Sequence, residues 1–353
     1  MEKWKERNYS VDLLRVLATL FITILHVMGH GGMINAVEGK GQYNVIWFLE
    51  ILCFCAVDCY GLISGYVGYG HKRRPSRFIS LWLEVVFYCL IGTLVLYIWE
   101  PDYLSSSRIL HAFLPITFNQ YWYFTAYAGV FLLMPYMNRV VDSFDAKDAK
   151  KLFAGVFLLF SLYNTLAIKN SVSDPFRLAG GYSFMWLCAL YMVGAVIRKF
   201  DVCSKVRPWV RWAIFVFALA FTWLWKTQIC YGKDWDISGM FISYISPTIF
   251  IMAVTLLLLF GSMKLHKVGK IIVKIIAPTT FGVYLLQDQT YVRSYYLLNK
   301  YSEFASLSPG QIPLKVLGVA LIFYAVGIAI DWIRILLFKI FNMKKLKAKI
   351  DSL

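Results

Sequence analysis

Long apolar stretches separated by short polar, charged segments run the length of this 353-residue chain. About 20 consecutive apolar residues are needed to cross the ~30 Å hydrocarbon core of a bilayer as a helix. On that basis ten membrane spans are expected, at 10–30, 45–68, 78–99, 120–140, 152–168, 183–198, 209–226, 241–262, 271–290 and 313–338. The predicted fold class is therefore all-α, a polytopic membrane protein. No low-complexity tract, Pro/Gly/Ser-rich linker or soluble appendage interrupts the pattern, so one membrane domain is expected over residues 1–353. The first stretch is too long, and lacks the small-residue cleavage site, to be a removable signal peptide.

Composition agrees with the pattern. Charged residues make up 16% of the chain, against about 25% in soluble domains, and mean hydropathy is +0.60. The net charge of +16 is informative because of where it sits. Of the 36 Lys and Arg residues, 25 fall in the N-terminus, the C-terminal tail and alternate loops, against eight in the intervening loops. The positive-inside rule then places both termini in the cytoplasm, and the same distribution argues against nucleic acid as a partner. Seven cysteines without a C-x-x-C pair give no zinc ribbon or disulfide framework.

Ionisable residues inside a span are costly and are functional candidates. The first span, SVDLLRVLATLFITILHVMG, carries two: Arg15 and His26. Eleven residues of helix bring them to one face, about 16 Å apart. Arg15 is expected near the cytoplasmic end with Asp12 one turn away, and His26 towards the outer third. At that separation Arg15 does not orient the imidazole. His30 follows His26 at metal-ligand spacing, but no third ligand motif accompanies it, and no metal is expected.

A second constellation ends span 2. Leu62-Ile63-Ser64-Gly65-Tyr66 leads into His71-Lys72-Arg73-Arg74-Pro75-Ser76-Arg77. Arg73, Arg74 and Arg77 attract phosphate, since Arg binds its oxygens bidentately; contact with anionic lipid is the alternative. Ser64-Gly65 permits close backbone approach at a helix end. Further buried candidates are Asp58, Glu84, expected at the depth of Arg15 as a pairing partner, and Asp331 with Arg334, one turn apart. Trp122 and Tyr123 either anchor the interface or stack on a sugar ring, and Gln287-Asp288-Gln289 either lines an external cavity or caps a helix. No phosphate-cradling glycine loop and no soluble-hydrolase motif is present.

Taken in order, these pieces resemble the acyltransferase family 3 membrane proteins, over nearly the whole chain. Ser10-Val11-Asp12-Leu13-Leu14-Arg15, ten residues and His26 match that family's Arg–x10–His signature. The similarity continues through Leu62-Ile63-Ser64-Gly65-Tyr66, Trp122-Tyr123, Met134-Pro135-Tyr136-Met137-Asn138 and Phe281-Gly282-Val283-Tyr284-Leu285-Leu286. The resemblance implies an O-acyltransferase of the bacterial cytoplasmic membrane that acylates surface glycans. It implies acyl-CoA, most often acetyl-CoA, as donor and a sugar hydroxyl of a surface or lipid-linked glycan as acceptor. His26 would be catalytic and Arg15 its essential partner. Arg15, Ser64, Gly65, Arg73, Arg74 and Arg77 are then expected at the donor, and Asp58, Glu84, Trp122, Tyr123 and Gln287 at the acceptor. Gln287 departs from the pattern, standing where many relatives have His. The alternative from another class is a transporter of a glycan precursor or small metabolite, with the buried charges lining its pathway.

Overall fold

The computed structural model describes residues 7–71, 74–99, 105–169 and 174–351, all in helices and connecting loops, with no strand among them. The principal helices are α1 (Tyr9–Gly29), α2 (Lys40–Phe54), α3 (Ala56–Gly68), α4 (Pro75–Trp99), α5 (Trp122–Ser143), α6 (Ala146–Ile168), α7 (Phe184–Lys199), α8 (Pro208–Ile229), α9 (Pro247–Ser262), α10 (Lys267–Asp288), α11 (Gln311–Ile340) and α12 (Met343–Asp351).

Each expected span falls on helix, with α2 and α3 forming one run bent at Cys55. Ten crossings are nevertheless more than the helices support. Among the described residues seven runs are long and apolar enough: α1, α2 with α3, α4, α6, α8, α10 and α11. Helices α7 and α9 have 16 residues each, or about 24 Å, short of the hydrocarbon thickness. Helix α5 has the length, but Pro135 interrupts it and Asn138, Arg139 and Asp142 make its second half polar. Large apolar side chains such as Ile98, Leu132, Phe217 and Ile322 remain exposed on α4, α5, α8 and α11, the surface expected of helices in lipid.

Helix α1 is central. The Asn8 side chain caps it, accepting from the amides of Ser10 and Val11, as an Asn N-cap does. Ser10 Oγ donates to the Met263 carbonyl at 2.6 Å, tying this end of α1 to the end of α9. Beyond the other end of α1, the amides of Asn299 and Tyr301 donate to the carbonyls of His30 and Gly31. Helices α3 and α7 cross with backbones in contact: a Cβ on Gly65 would lie 1.8 Å from the Tyr191 carbonyl oxygen, and one on Gly194 2.0 Å from that of Leu62. Gly65 therefore serves helix packing. Expected at the donor, it is buried against α7 instead.

The expected Arg15–Glu84 pair does not form. Arg15 Nη1 binds Asp12 at 2.6 Å, and Asp12 also holds Arg7 at 2.6 Å. Glu84 on α4 faces Arg334 on α11 at 3.3 Å. Arg334 grips Asp331 through two hydrogen bonds, at 2.6 and 3.0 Å, the pair that the one-turn spacing predicts. Tyr88 of α4 donates to Asp331 at 3.0 Å. Burial decides between the two arrangements, because a carboxylate with no water must take the nearest cation.

Helix α12 returns to the start of α4. The Asp351 carboxylate accepts from Ser76 Oγ at 2.7 Å and from the Ser76 amide at 3.2 Å. Those hydrogen bonds, with Arg74 and Arg77 nearby, hold its carboxyl below the ordinary range. A depressed carboxylate favours docking at all pH values above its unfolded pKa, and the contribution is lost as pH falls through the folded value. Acidification through the folded value, which lies below the ordinary aspartate pKa of about 3.9, should thus weaken the docking of α12. Hydrogen exchange at the Ser76 amide checks this: at neutral pH the wild type should exchange more slowly than Asp351→Asn, and the difference should vanish in acid.

Candidate active site

Two cavities flank α1, one at His26 and one at Arg15. The first, about 470 Å³, is lined by His26 and His30, by Glu50 and Phe54 of α2, Tyr60 of α3, Trp122 and Tyr123 of α5, Tyr284 and Asp288 of α10, and by Tyr182, Tyr244 and Arg293 from connecting segments. Its walls are largely aromatic. Asp288 is anchored by Tyr284 at 3.2 Å and Arg293 at 3.3 Å and lines this cavity, whereas Gln289 caps the next turn, accepting from the amides of Tyr291 and Val292.

His26 is held by a chain of hydrogen bonds running along α1. Thr23 Oγ1 donates to the Thr19 carbonyl at 2.9 Å. Its hydroxyl proton is thereby used, so it accepts from Gln287 Nε2 at 2.8 Å. The Gln287 amide then turns Oε1 towards His26 Nδ1 at 3.2 Å. An amide oxygen only accepts, so this assignment puts the proton on Nδ1 and leaves Nε2 with its lone pair. Gln287 is buried and lies behind the imidazole, outside the cavity lining. Its place is to orient His26, where an acceptor contact was expected. His30 packs beside His26, with ring centroids 5.1 Å apart. No group of three potential metal ligands occurs among the described residues.

The second cavity, about 390 Å³, is cationic. Arg15, Ser64, His71, Arg74, Arg77 and Lys347 line it with Ser76, Ser80 and Tyr127. The His71 imidazole is held below its ordinary value by partial burial first, then by Arg77, Arg198 and Arg74. Arg73 lies outside the described residues. Between the cavities stand three tyrosines. Tyr60 and Tyr123 face the His26 side and Tyr127 the Arg15 side. The rings of Tyr123 and Tyr127 stack at 6.3 Å, and Tyr60 meets Tyr123 edge-on at 6.0 Å. The Tyr60 hydroxyl is hydrogen-bonded to Thr19, and Ser64 Oγ donates to the Tyr60 carbonyl at 2.8 Å.

The structure thus gathers His26, Trp122 and Tyr123 at one cavity and Arg15, Ser64, Arg74 and Arg77 at the other. Asp58 joins neither. It is fully buried and accepts from Trp186 Nε1 at 2.9 Å. Glu84 is likewise absent from both, held by Arg334. Glu50, Tyr244 and Tyr284 at the first cavity were not anticipated. Glu50 carried a usable signal, a lone carboxylate within an apolar run, the criterion that singled out Asp58.

Fold and site together define a helical, membrane-type protein with an oriented imidazole in an aromatic cavity and a cationic groove on the same helix. Residues 8–333 match the family model of the acyltransferase domain of acyltransferase family 3, and the chain belongs to that family. Neither a curated protein nor a solved structure matches it. Acyl transfer is the chemistry of that family.

Proposed function

We propose that this protein is an O-acyltransferase of the bacterial cytoplasmic membrane. It moves an acyl group, acetyl in the simplest case, from cytoplasmic acyl-CoA to a hydroxyl of a surface or lipid-linked glycan. One observation carries the proposal: the cationic groove at Arg15 and the aromatic cavity at His26 are strung on a single helix. Phosphates of the donor suit the groove, where Arg15, Arg74, Arg77 and Lys347 converge. A sugar suits the aromatic cavity, whose rings offer faces to its C–H groups. The extended pantetheine arm covers the separation of about 16 Å along α1 and has to pass the tyrosine layer.

In the cavity His26 Nε2 removes the proton of the acceptor hydroxyl as its oxygen attacks the thioester carbonyl. The C–S bond breaks, and the departing CoA thiolate recovers the proton from the imidazolium. In the two-step variant Nε2 attacks first and CoA leaves as the thiolate; the sugar oxygen then takes the acyl group from the imidazole, and the hydroxyl proton passes to the thiolate.

The test is acetyl-CoA consumption by purified protein, followed as free thiol, together with mass spectrometry of surface glycans from cells with and without the protein. Loss of an acyl mass in its absence is expected. Flux of a saccharide into proteoliposomes without CoA would favour transport instead. Arg74→Ala and Arg77→Ala should each raise the donor KM about tenfold, the scale of one charge-assisted hydrogen bond, with kcat nearly unchanged. Wild-type KM in the double variant would remove the groove from donor binding.

A further inference from the structure

The first cavity holds a carboxyl group that neither the fold nor the transfer step uses. Glu50 lines it from α2 and is only 7% exposed. Its Oε2 is fully buried without a hydrogen-bond partner, and no ion pair involves it among the described residues. Asp58 Oδ2 and Glu84 Oε1 are also without a hydrogen bond, but the other buried carboxylates each have at least one partner: Asp12 has Arg7 and Arg15, Asp58 has Trp186, Asp331 has Arg334 and Tyr88, and Glu84 has Arg334. Oε2 is sealed from the cavity, so Oε1, which has no partner among the described residues either, is the oxygen that a ligand there would meet as a hydrogen-bond acceptor. Glu50 shares its cavity with an aromatic platform on which the rings of Trp122 and Tyr244 lie nearly parallel, at 6.5 Å and 16°.

We infer that Glu50 is a specificity-determining residue that binds the acceptor, receiving a hydrogen bond from a hydroxyl of a pyranose ring stacked on the aromatic wall. The inference rests on the acyltransferase reading only for the word acceptor; the saccharide site itself stands on the cavity. Its chemistry is selective. A carboxyl oxygen takes a hydrogen bond from a ring hydroxyl, and the aromatic wall takes the C–H face of the same ring. Holding one hydroxyl at Glu50 fixes which other hydroxyl of the ring is offered to His26, so Glu50 would set the position of acylation as well as the choice of sugar. The donor, bound through the separate cationic groove, does not depend on it.

The experiment uses the full chain in detergent and neutral oligosaccharides released from the surface glycan of cells lacking the protein. Their binding to wild type, Glu50→Gln and Glu50→Ala is measured by titration calorimetry, alongside the acetyl-CoA KM. Glu50→Ala should weaken oligosaccharide affinity about tenfold or more and leave the acetyl-CoA KM within about twofold. Glu50→Gln, whose amide oxygen still accepts, should lose less. Equal affinity in wild type and Glu50→Ala overturns the inference. So does a parallel loss of acetyl-CoA binding and thermal stability in both variants, which would make Glu50 part of the wall only. So does the absence of oligosaccharide binding to wild type. Glu50-dependent binding in a protein that transfers no acyl group would support the saccharide site and count against the enzyme assignment alone.

Discussion

Replacing His26 by alanine is expected to lower acyl transfer by a factor of about 10²–10⁴, the usual worth of a positioned general base, while acetyl-CoA affinity and expression stay near wild type. The expectation follows from the imidazole's surroundings. Nδ1 is engaged by Gln287, and Gln287 is fixed by Thr23, so the ring is held with Nε2 free for chemistry at the cavity. The cationic groove proposed for the donor is built from other residues, which separates the two readouts. Gln287→Leu tests the same arrangement from behind: it keeps the imidazole but frees its tautomer, so kcat should fall by less than in His26→Ala with donor KM unchanged. Single-turnover assays with acetyl-CoA, scored by acyl mass on the glycan, measure both. Full acylation by His26→Ala would end the role assigned to the imidazole, and an inactive variant that also fails to bind acetyl-CoA would point to misfolding.

How far the sequence carries to this site depends on which physical rule each residue obeys. His26 and Arg15 were legible because helix geometry is local: eleven residues fix their spacing whatever else packs nearby. The cationic groove was legible at Arg74 and Arg77 because charge clustered in sequence also clusters in space. Lys347, 270 residues beyond Arg77, reaches the groove only because α12 docks on α4. Pairing partners were the weakest expectation. Depth along a span suggests that Arg15 and Glu84 meet, but depth says nothing of which helices are neighbours, and α4 packs its carboxylate towards α11. Gln287 illustrates the same limit. As a departure from the family pattern it stood out, yet its use became visible only when α10 was placed behind α1. Ten spans exceed what helix length supports, because hydropathy alone does not tell a buried apolar helix from one in lipid: α9 is apolar, but most of its 16 residues are buried.

Arg334→Ala should be the most destabilising single change in the chain, by about 3–5 kcal/mol, the cost of removing one partner from a buried ion pair. Arg334 serves two carboxylates. Its guanidinium holds Asp331, which has no solvent exposure, and faces Glu84 across the α4–α11 interface. Without it two buried acidic groups would face each other near Tyr88, with Lys347 attracting Glu84 from farther off and no cation in an ion pair with either among the described residues. The vicinity gives little room to adjust, since Gly282 of α10 approaches so closely that a Cβ there would lie 2.1 Å from Asp331 Oδ1. A large effect on folding with no direct part in transfer is the signature to look for: thermal or denaturant unfolding in detergent should shift strongly, while whatever protein remains folded keeps its acetyl-CoA KM. The mechanism also predicts its own repair. Glu84→Gln/Asp331→Asn/Arg334→Met removes charge from all three positions at once, so no buried ion is left unpaired and much of the lost stability should return. If Arg334→Ala unfolds like wild type, the cluster is not what joins α4 to α11; if the triple variant is as unstable as the single one, charge is not the reason.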